Sequence, residues 1–214
     1  MRSEIILIGG GGHARVLIDL IRMSGKFEIA GILDSELKKG KIVLEIPVLG
    51  SDNLLADLYG KGIRNACIAV GSIKDNSKRK ILYEKVKQFG FDMPYLIHPQ
   101  AVVSKSDTRI SGAVQVMAGA VIQPGVLIGE NTIINTGAIV EHDCSISSHV
   151  HICPGAVISG GCIIGEGAFI GAGATVIQGV KIGKGALIGA GSVVIDNVPE
   201  GAAVKGVPAR EVNG

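Results

Sequence analysis

The chain has 214 residues, of which 47% are hydrophobic and 3% aromatic, and its formal net charge is +2 at pH 7. This length suits one large domain or two modest ones, with enough apolar residues for a core. Because basic residues are interspersed with acidic ones and aromatic rings are scarce, the composition argues against nucleic acid as a partner.

The chain begins with a short apolar run that leads into glycines, "IILIGGGG". The run is far too short for a signal peptide or a membrane-spanning helix. We therefore expect a cytoplasmic protein that does not insert into a membrane. Thiols are normally reduced in the cytoplasm, and no CxxC pair is formed by the cysteines, which are Cys67, Cys144, Cys153 and Cys162. No disulfide framework is expected.

Residues 1–97 alternate short aliphatic segments with amphipathic ones. In chain order they are "EIILIG", "HARVLIDLIRMSG", "EIAGILD", "SDNLLADLYGKG", "NACIAVG", "NSKRKILYEKVKQFG" and "MPYLIH". Aliphatic strands suited to burial on both faces, separated by helices that close at glycines, are typical of βαβ units. The pattern predicts an α/β, Rossmann-like domain with a small parallel sheet.

A glycine-rich turn follows the first predicted strand, in "LIGGGGHARVLIDLI". Gly9, Gly11 and Ala14 fit a relaxed G-x-G-x-x-A motif, and a helix beginning near His13 would offer free N–H groups to a phosphate. Asp34 ends the next strand, where a Rossmann carboxylate meets a ribose hydroxyl. The residues predicted to contact a nucleotide are Gly9, Gly10, Gly11, Gly12, His13, Asp34, Ser35 and Gly71.

The glycines have an alternative interpretation, in which they only make a tight corner between strand and helix. The motif, its context and the acid occur together, which favours nucleotide binding. A dinucleotide fold needs two mononucleotide halves, and this region has fewer than 100 residues. A single nucleotide is therefore the better fit.

Residues 98–214 follow a six-residue period, in which every sixth position from Ile110 to Val194 is Ile or Val. This period does not suit an α-helix. It fits a triangular solenoid in which three short strands make a coil of about 18 residues, with glycine or Asn at corners of positive φ. About five coils are predicted, preceded by a coil with a slipped register near "IHPQAVVSKSDTR".

Polar residues interrupt the solenoid pattern at residues 138–155, "AIVEHDCSISSHVHICPG". His142 falls at a corner, beside Asp143, which could accept a hydrogen bond from one ring nitrogen and leave the other to face a substrate. Gly160 lies one coil further on and would leave open space beside the imidazole. We expect His142 to be a catalytic base that Asp143 orients.

A metal site and an ordinary polar surface are the alternatives for this cluster. A zinc site can be drawn from His142, His149, His151 and either Cys144 or Cys153. However, Cys144 and Cys162 are 18 residues apart at the small, inward position of their hexads, which predicts stacked core residues. We therefore expect no metal.

The segments "LIGGGGHA", "ILD", "AVGSIKDNSKRKI", "IHPQAVVS", "IINTGAIVEHDC" and "KGVPARE" occur in this order over the whole chain. Together they resemble the hexapeptide-repeat nucleotide-sugar N-acetyltransferases of the bacillosamine and perosamine type, an architecture shared with sialic acid O-acetyltransferases. The resemblance implies a left-handed parallel β-helix, a homotrimer with active sites between subunits, and acetyl-CoA as co-substrate. It also implies acetylation of the 4-amino group of a nucleotide-linked, most simply UDP-linked, 4-amino-4,6-dideoxy sugar for surface glycan or glycoprotein biosynthesis.

The resemblance also implies roles for particular residues. The base of the family's "EHD" motif corresponds to His142 and the following acid to Asp143, which is often Glu in the family. A His near the thioester corresponds to His151, and Asn135 matches a residue near the acceptor amine. His149 has no counterpart.

Acetyl-CoA is expected to lie in a groove between two prisms, against small turn residues and two cations near the end of the solenoid. These residues are Gly160, Gly161, Ala172, Gly173, Ala190, Lys205 and Arg210. The alternative functions are sialic acid O-acetylation, a metal-dependent carbonic anhydrase with three His ligands, and a non-catalytic nucleotide-sugar-binding scaffold.

Overall fold

The computed structural model of the chain describes residues 2–212 and divides into two compact units. The first unit comprises the chain up to Ser72 together with Lys78–Pro99, and the second comprises Ile73–Ser77 together with the chain from Gln100 onwards. Within residues 2–212, none of the helices has both the length and the apolar character needed to cross a membrane.

The first unit contains a five-stranded sheet in the order β3-β4-β2-β1-β5. Strand β1 pairs in parallel with β2 and β5, β4 pairs in parallel with β2, and β3 pairs antiparallel with β4. The elements are β1 (Ser3–Ile8), α1 (Gly12–Ser24), β2 (Phe27–Leu33), β3 (Ile42–Val43), β4 (Ile46–Gly50), a 3₁₀ turn (Asp52–Leu54), α2 (Leu55–Gly60), β5 (Asn65–Ile68) and α3, which starts in the second unit (Ser77–Gln88).

The central strand and the first helix form the core of this unit. Residues 5–8 of β1 are all buried, as expected of a strand covered on both faces. Helix α1 buries a stripe that includes Leu17 and Ile21 at helical spacing. It ends at Gly25, whose left-handed backbone (φ 62°) lets its N–H donate to the carbonyl of Ile21.

The sheet differs from the sequence-based expectation in two places. Strands β3 and β4 form a hairpin that was not predicted, because its turn is made by Leu44 and Glu45 at positive φ (44° and 69°) instead of by the usual glycine or asparagine. The segment "MPYLIH" contributes only a two-residue strand, Leu96–Ile97, which lies outside this sheet. The sheet is therefore mixed and not wholly parallel.

The second unit is a parallel β-helix with three faces. The first face contains Val102–Val103, Val121–Ile122, Ile139–Val140, Val157–Ile158, Thr175–Val176 and Val193–Val194. The second contains Arg109–Ile110, Leu127–Ile128, Ser145–Ile146, Ile163–Ile164 and Lys181–Ile182. The third contains Gln115–Val116, Ile133–Ile134, His151–Ile152, Phe169–Ile170, Leu187–Ile188, Ala203–Lys205 and the antiparallel Arg210–Glu211.

Corners in the left-handed backbone region join the faces and form three edges. The first edge, between the first and second faces, contains Gly125, Asp143, Gly161 and Gly179. The second edge contains Asn131, His149, Gly167 and Gly185, and the third contains Gly137, Gly155, Gly173 and Gly191. Three further residues of this kind, Asp107, Ala113 and Gly119, precede them, and the six-residue spacing of these corners is the one that the sequence predicts.

Two inward positions in each hexad fill the core of the solenoid. The aliphatic series from Val116 to Val194 is at most 2% exposed at every member, and the small residues two positions earlier, such as Ala156 and Ala168, are also buried. The predicted slip is present, because Val102 pairs with Val121 at a spacing of 19 residues whereas Arg109 pairs with Leu127 at 18.

Neighbouring residues of one strand provide a test of this core. Replacing Ile164, which is fully buried, with Ala removes packed methylene groups and leaves a cavity, so we expect a loss of about 2–5 kcal/mol in the free energy of unfolding. The same change at Ile163, which is 45% exposed, is the control and should lower the free energy of unfolding by less. Urea denaturation of both variants at one protein concentration measures the difference, and equal losses would contradict the inward assignment.

Candidate functional site

A cavity of about 220 Å³ lies at the carboxyl ends of β1, β2 and β5 in the first unit. All the nucleotide contacts predicted within residues 1–97 line it, namely Gly9, Gly10, Gly11, Gly12, His13, Asp34, Ser35 and Gly71. Strands β2 and β5 flank β1 on opposite sides. Such a point, where the strand order reverses, is where open α/β sheets bind ligands.

The four glycines of the turn divide into two pairs. A Cβ at Gly9 would lie 2.6 Å from Val70 Cγ2, and one at Gly10 would lie 2.6 Å from Leu37 Cδ1. A Cβ at Gly11 or Gly12 would meet nothing within 4 Å. The first pair therefore allows the turn to pack against its neighbours, while the second leaves bare main chain at the start of α1, which can approach an anion.

Asp34 holds the glycine turn and the following loop together. Its Oδ2 accepts a hydrogen bond from the Gly10 N–H at 2.7 Å, and its Oδ1 accepts from the N–H groups of Glu36 and Leu37 at 2.8 and 2.9 Å. Partial burial acts to raise the pKa of Asp34, but these N–H donors and the charge of Lys78 outweigh it and lower the pKa below its ordinary value. The carboxylate therefore organises the cavity wall.

Further residues from the loop after β2, the 3₁₀ turn and α3 also line the cavity and were not predicted from the sequence. They are Glu36, Asp52, Lys78 and Leu82. Lys78 Nζ lies 3.5 Å from Glu36 Oε1, and Lys85 Nζ lies 2.7 Å from Asp52 Oδ2. Lys78 and Leu82 belong to α3, far along the chain from the glycine turn, so no local motif indicates that they reach this cavity.

The pair of His142 and Asp143 lies on the first edge of the solenoid. His142 Nδ1 is 2.9 Å from Asp143 Oδ2, and both side chains are exposed, by 55% and 73%. Asp143 adopts φ 58° at a corner where most coils have glycine, a conformation that Asp tolerates better than most residues. Donation from Nδ1–H to the carboxylate leaves Nε2 as a hydrogen-bond acceptor.

Gly160 lies against the imidazole, one coil further along the same edge. A Cβ at this position would be 2.6 Å from both Cε1 and Nε2 of His142. The neighbouring Gly161 donates its N–H to the His142 carbonyl at 2.8 Å. The glycine predicted to leave space beside the ring therefore does so, and any side chain there would displace the imidazole.

Asn135 and His151 contact each other at the border of the third face and the third edge. Asn135 Nδ2 is 3.1 Å from His151 Nε2, and the His151 ring packs edge-on against Phe169 with centroids 5.3 Å apart. His151 is buried, whereas Asn135 is half-buried. These two residues thus stand together, but on a different edge of the prism from His142.

His149, which the sequence left without a role, is a buried residue of the second edge. Its Nδ1 lies 3.0 Å from Asn131 Nδ2, and its carbonyl accepts a hydrogen bond from Asn76 Nδ2 at 2.9 Å. The same amide also donates to the carbonyls of Gly167 and Ala168. His149 therefore has structural contacts, and Asn76, 73 residues away, is a partner that no sequence pattern indicated.

The side chains from which a zinc site could be drawn have separate partners. The three imidazoles contact Asp143, Asn131 and Asn135 respectively, and Cys144 Sγ donates to the Ser159 carbonyl. Burial raises the pKa of Cys153 to about 12, so its thiol is protonated. Among residues 2–212, no group of three His, Cys, Asp or Glu side chains is arranged to hold a metal ion.

The residues expected to contact acetyl-CoA lie on two edges. Gly160 and Gly161 belong to the first edge, with His142. Ala172, Gly173 and Ala190 are exposed on the third edge. In one prism these two groups border the same face from opposite sides, and Ala172 and Ala190 lie one coil apart along the third edge.

The two cations expected to meet CoA phosphates are neighbours. Lys205 and Arg210 are paired across the last antiparallel strands, and both are exposed. Arg210 Nη1 lies 3.4 Å from Asp196 Oδ2. An exposed pair of this kind is weak, so a phosphate could compete with Asp196 for the guanidinium.

Comparison with known families matches both units. The family described as the PglD N-terminal domain matches residues 4–86, and the bacterial transferase hexapeptide (six repeats) matches residues 143–178 and 161–196. Over 123 residues the chain is 39% identical to the UDP-N-acetylbacillosamine N-acetyltransferase of Bacillus subtilis (strain 168). That match covers 52% of the chain and 50% of the relative, so the chain spans about half the length of this curated protein.

Two solved structures are similar over nearly the full chain. One is a perosamine N-acetyltransferase from Caulobacter crescentus, a variant with one His replaced by Asn, in complex with CoA and GDP-perosamine. It is 40% identical with a TM-score of 0.93, covering 99% of this chain and 98% of that one. The other is the acetyltransferase domain of PglB from Neisseria gonorrhoeae FA1090 with acetyl coenzyme A, 37% identical with a TM-score of 0.91, covering 99% and 100%. The second unit is accordingly a left-handed parallel β-helix.

The hydrogen bonds of Asp34 make stability depend on pH. Replacing Asp34 with Asn removes the charge that three N–H groups share, and we expect a loss of about 1–2 kcal/mol at pH 7 after allowance for solvent screening. Because the folded-state pKa is lowered, this stabilisation is complete above the unfolded pKa of about 3.9 and disappears as the pH falls through the lower folded value.

Urea denaturation, followed by the helical circular dichroism signal, measures this difference at neutral and acidic pH. Asp19→Asn on the exposed face of α1 serves as the control and should change little at either pH. A difference between Asp34→Asn and the wild type that stays constant with pH would contradict the role given to the carboxylate.

Proposed function

The chain belongs to the hexapeptide-repeat nucleotide-sugar N-acetyltransferases of the bacillosamine and perosamine type, and we propose that it acetylates the 4-amino group of a nucleotide-linked 4-amino-4,6-dideoxy sugar with acetyl-CoA. The observation that carries this proposal is the exposed His142–Asp143 pair, with Nδ1 beside a carboxylate and Nε2 lying over Gly160. The acceptor would serve surface glycan or glycoprotein biosynthesis.

The first unit, within residues 1–97, is proposed to bind the nucleotide of the acceptor. The bare main chain at Gly11 and Gly12 would receive the diphosphate at the start of α1, where N–H groups and the helix dipole favour an anion. Asp34 would keep the glycine turn in place, with its Oδ2 free to accept one further hydrogen bond from a ribose hydroxyl.

Residues 98–214 are proposed to carry out the transfer. The neutral 4-amine attacks the thioester carbonyl carbon, and His142 Nε2 takes a proton from the nitrogen as the new bond forms. The tetrahedral intermediate then collapses, the carbon–sulfur bond breaks, and the imidazolium returns the proton to the CoA sulfur. Main-chain N–H groups would stabilise the oxyanion. None of these steps requires a metal.

The site is proposed to lie between subunits of a cytoplasmic homotrimer. His142 stands on the first edge of one prism, whereas Asn135 and His151 stand at the third edge. Two prisms packed side by side through a heterologous interface would bring the first edge of one against the third edge of the other. Gly160 and Gly161 from one subunit, and Ala172, Gly173 and Ala190 from the next, would then form opposite walls of one groove for the pantetheine arm, with Lys205 and Arg210 near the phosphates.

The most direct test is an acceptor panel. The protein is incubated with acetyl-CoA and UDP-, GDP- or dTDP-linked 4-amino-4,6-dideoxy sugars, and the release of CoA thiol is followed. We expect turnover with the UDP-linked sugar to exceed that with the other two. A sialic acid serves as the hydroxyl acceptor, and faster turnover of sialic acid than of every amino sugar would overturn the N-acetyltransferase assignment.

Removing the imidazole tests the proposed base. His142→Ala is expected to lower kcat by about 10²–10⁴-fold, because proton removal from the amine then depends on water. Binding of acetyl-CoA and of the amino sugar, measured by calorimetry, should change little because the main-chain contacts remain. A variant that retains wild-type kcat would exclude His142 as the base.

Mixed trimers test whether the site is shared between subunits. His142→Ala and the double variant N135A/H151A, each with impaired activity, are unfolded and refolded together. If one subunit supplies the first edge and its neighbour the third edge, about a quarter of the sites recover both wild-type edges. Mixtures no more active than the separate variants would place all three residues of a site in one subunit.

A further inference from the structure

We propose that Gly125 is a positioning residue for the acetyl transfer, because its missing side chain leaves the space in which the Asp143 carboxylate sits. Gly125 occupies the first edge one coil before Asp143. A Cβ built on it would lie 2.5 Å from Asp143 Oδ1, a separation that real Cβ atoms do not adopt. The inference rests on the proposed function of the His142–Asp143 pair and adds a residue to it.

To avoid such a Cβ, the exposed Asp143 side chain would have to turn away from its present position beside His142. Its Oδ2 is engaged with His142 Nδ1 at 2.9 Å, and its backbone is held in the left-handed region at φ 58°. Moving Oδ1 away from Gly125 rotates the whole carboxylate, and Oδ2 moves with it. A side chain at residue 125 therefore acts on the hydrogen bond to the imidazole.

Hydrogen bonds between coils hold the main chain at this edge. The Asp143 N–H donates to the Pro124 carbonyl at 3.0 Å, the Gly125 N–H donates to the Ser106 carbonyl at 3.0 Å, and the Gly161 N–H donates to the His142 carbonyl at 2.8 Å. These bonds link four successive corners of the first edge, at residues 107, 125, 143 and 161, at the coil spacing. Separating two coils to admit a methyl group would break them.

Other corners of the solenoid show that this contact is particular to Gly125. Gly161, Gly179 and Gly185 also have positive φ, but a Cβ on any of them would meet nothing within 4 Å. At those positions only the backbone conformation favours glycine. Gly125 and Gly160 are the glycines whose added Cβ would strike the pair, Gly125 on the carboxylate and Gly160 on the imidazole.

The consequence for chemistry follows from the tautomer of His142. A carboxylate on Nδ1 favours the form with the proton on Nδ1, which leaves Nε2 able to accept the proton of the amine. When the carboxylate is displaced, the form with the proton on Nε2 gains population, and this form cannot act as the base at that atom. Gly125→Ala should therefore lower kcat without removing any group that touches a substrate.

The experiment compares Gly125→Ala with Gly185→Ala. Both variants place an alanine at positive φ, at a similar backbone cost, but only the first meets the carboxylate. We expect Gly125→Ala to lower kcat about tenfold with KM for acetyl-CoA nearly unchanged, and Gly185→Ala to leave kcat as in the wild type. Equal kcat values for the two variants would overturn the proposal.

A double-mutant cycle shows whether the effect passes through the carboxylate. Asp143→Asn keeps the corner conformation but removes the charge. If Gly125 acts by positioning that charge, adding Gly125→Ala to Asp143→Asn lowers kcat little further, whereas a second tenfold loss would assign the effect to the backbone and contradict the proposal.

Nitrogen-15 NMR of the His142 ring provides a readout that does not depend on turnover. Gly125→Ala should shift the tautomer population towards the Nε2–H form, and Gly185→Ala should not. If the chain acetylates none of the sugars tested, this shift still decides the role of Gly125. A ring that keeps the wild-type tautomer in Gly125→Ala would overturn the proposal even where acetyl transfer is confirmed.

If Gly125→Ala folds poorly, thermal stability provides the test instead of kcat. The melting temperature of Gly125→Ala should then lie below that of Gly185→Ala. Adding Asp143→Gly removes the carboxylate that the new methyl group meets, and should bring the costs of the two alanines to the same value. A larger cost for Gly125→Ala that persists in the Asp143→Gly background would show that the clash involves some other group.

Discussion

Main-chain hydrogen bonds between successive coils determine which residues of the solenoid stand next to one another. Over most of its length each strand pairs with the strand 18 residues further on, so every corner lies over another corner of the same edge. Neighbours in space are thereby fixed by the backbone, and a residue acts on the coils above and below it. The proposed active-site pair depends on this stacking, because Asp143 and His142 lie between Gly125 and Gly160.

The His142–Asp143 pair lies outside the core that the stacked coils form. Neither His142 nor Asp143 is buried, so the hydrogen bond between them is not enforced by a surrounding core. The geometry of this hydrogen bond instead depends on the corner conformation of Asp143 and on the missing side chains of Gly125 and Gly160. The cavity of the first unit is organised in a different way, since Asp34 draws three N–H groups from two loops onto one carboxylate.

Several features became evident only from the folded chain. The hairpin at residues 42–50 has Leu44 and Glu45 in a turn that usually shows glycine or asparagine, so its sequence carries no turn signal. Lys78 reaches the cavity from a helix beyond β5, and Asn76 bonds to carbonyls more than 70 residues away. Gly125 is an intermediate case, because counting one coil back from Asp143 leads to it, but its contact with Oδ1 depends on the side-chain rotamer.

The sequence by itself determined the two architectures, the solenoid register and the corner position of His142 and Asp143. Periodicity reports these directly, because the backbone geometry of strand, helix and coil repeats with the chain. The tertiary structure alone decided that Lys78 and Leu82 reach the cavity beside the glycine turn and that Asn135 Nδ2 lies within hydrogen-bond distance of His151 Nε2. Such distances between chemical groups depend on how each corner and side chain turns, and no period in the sequence encodes that.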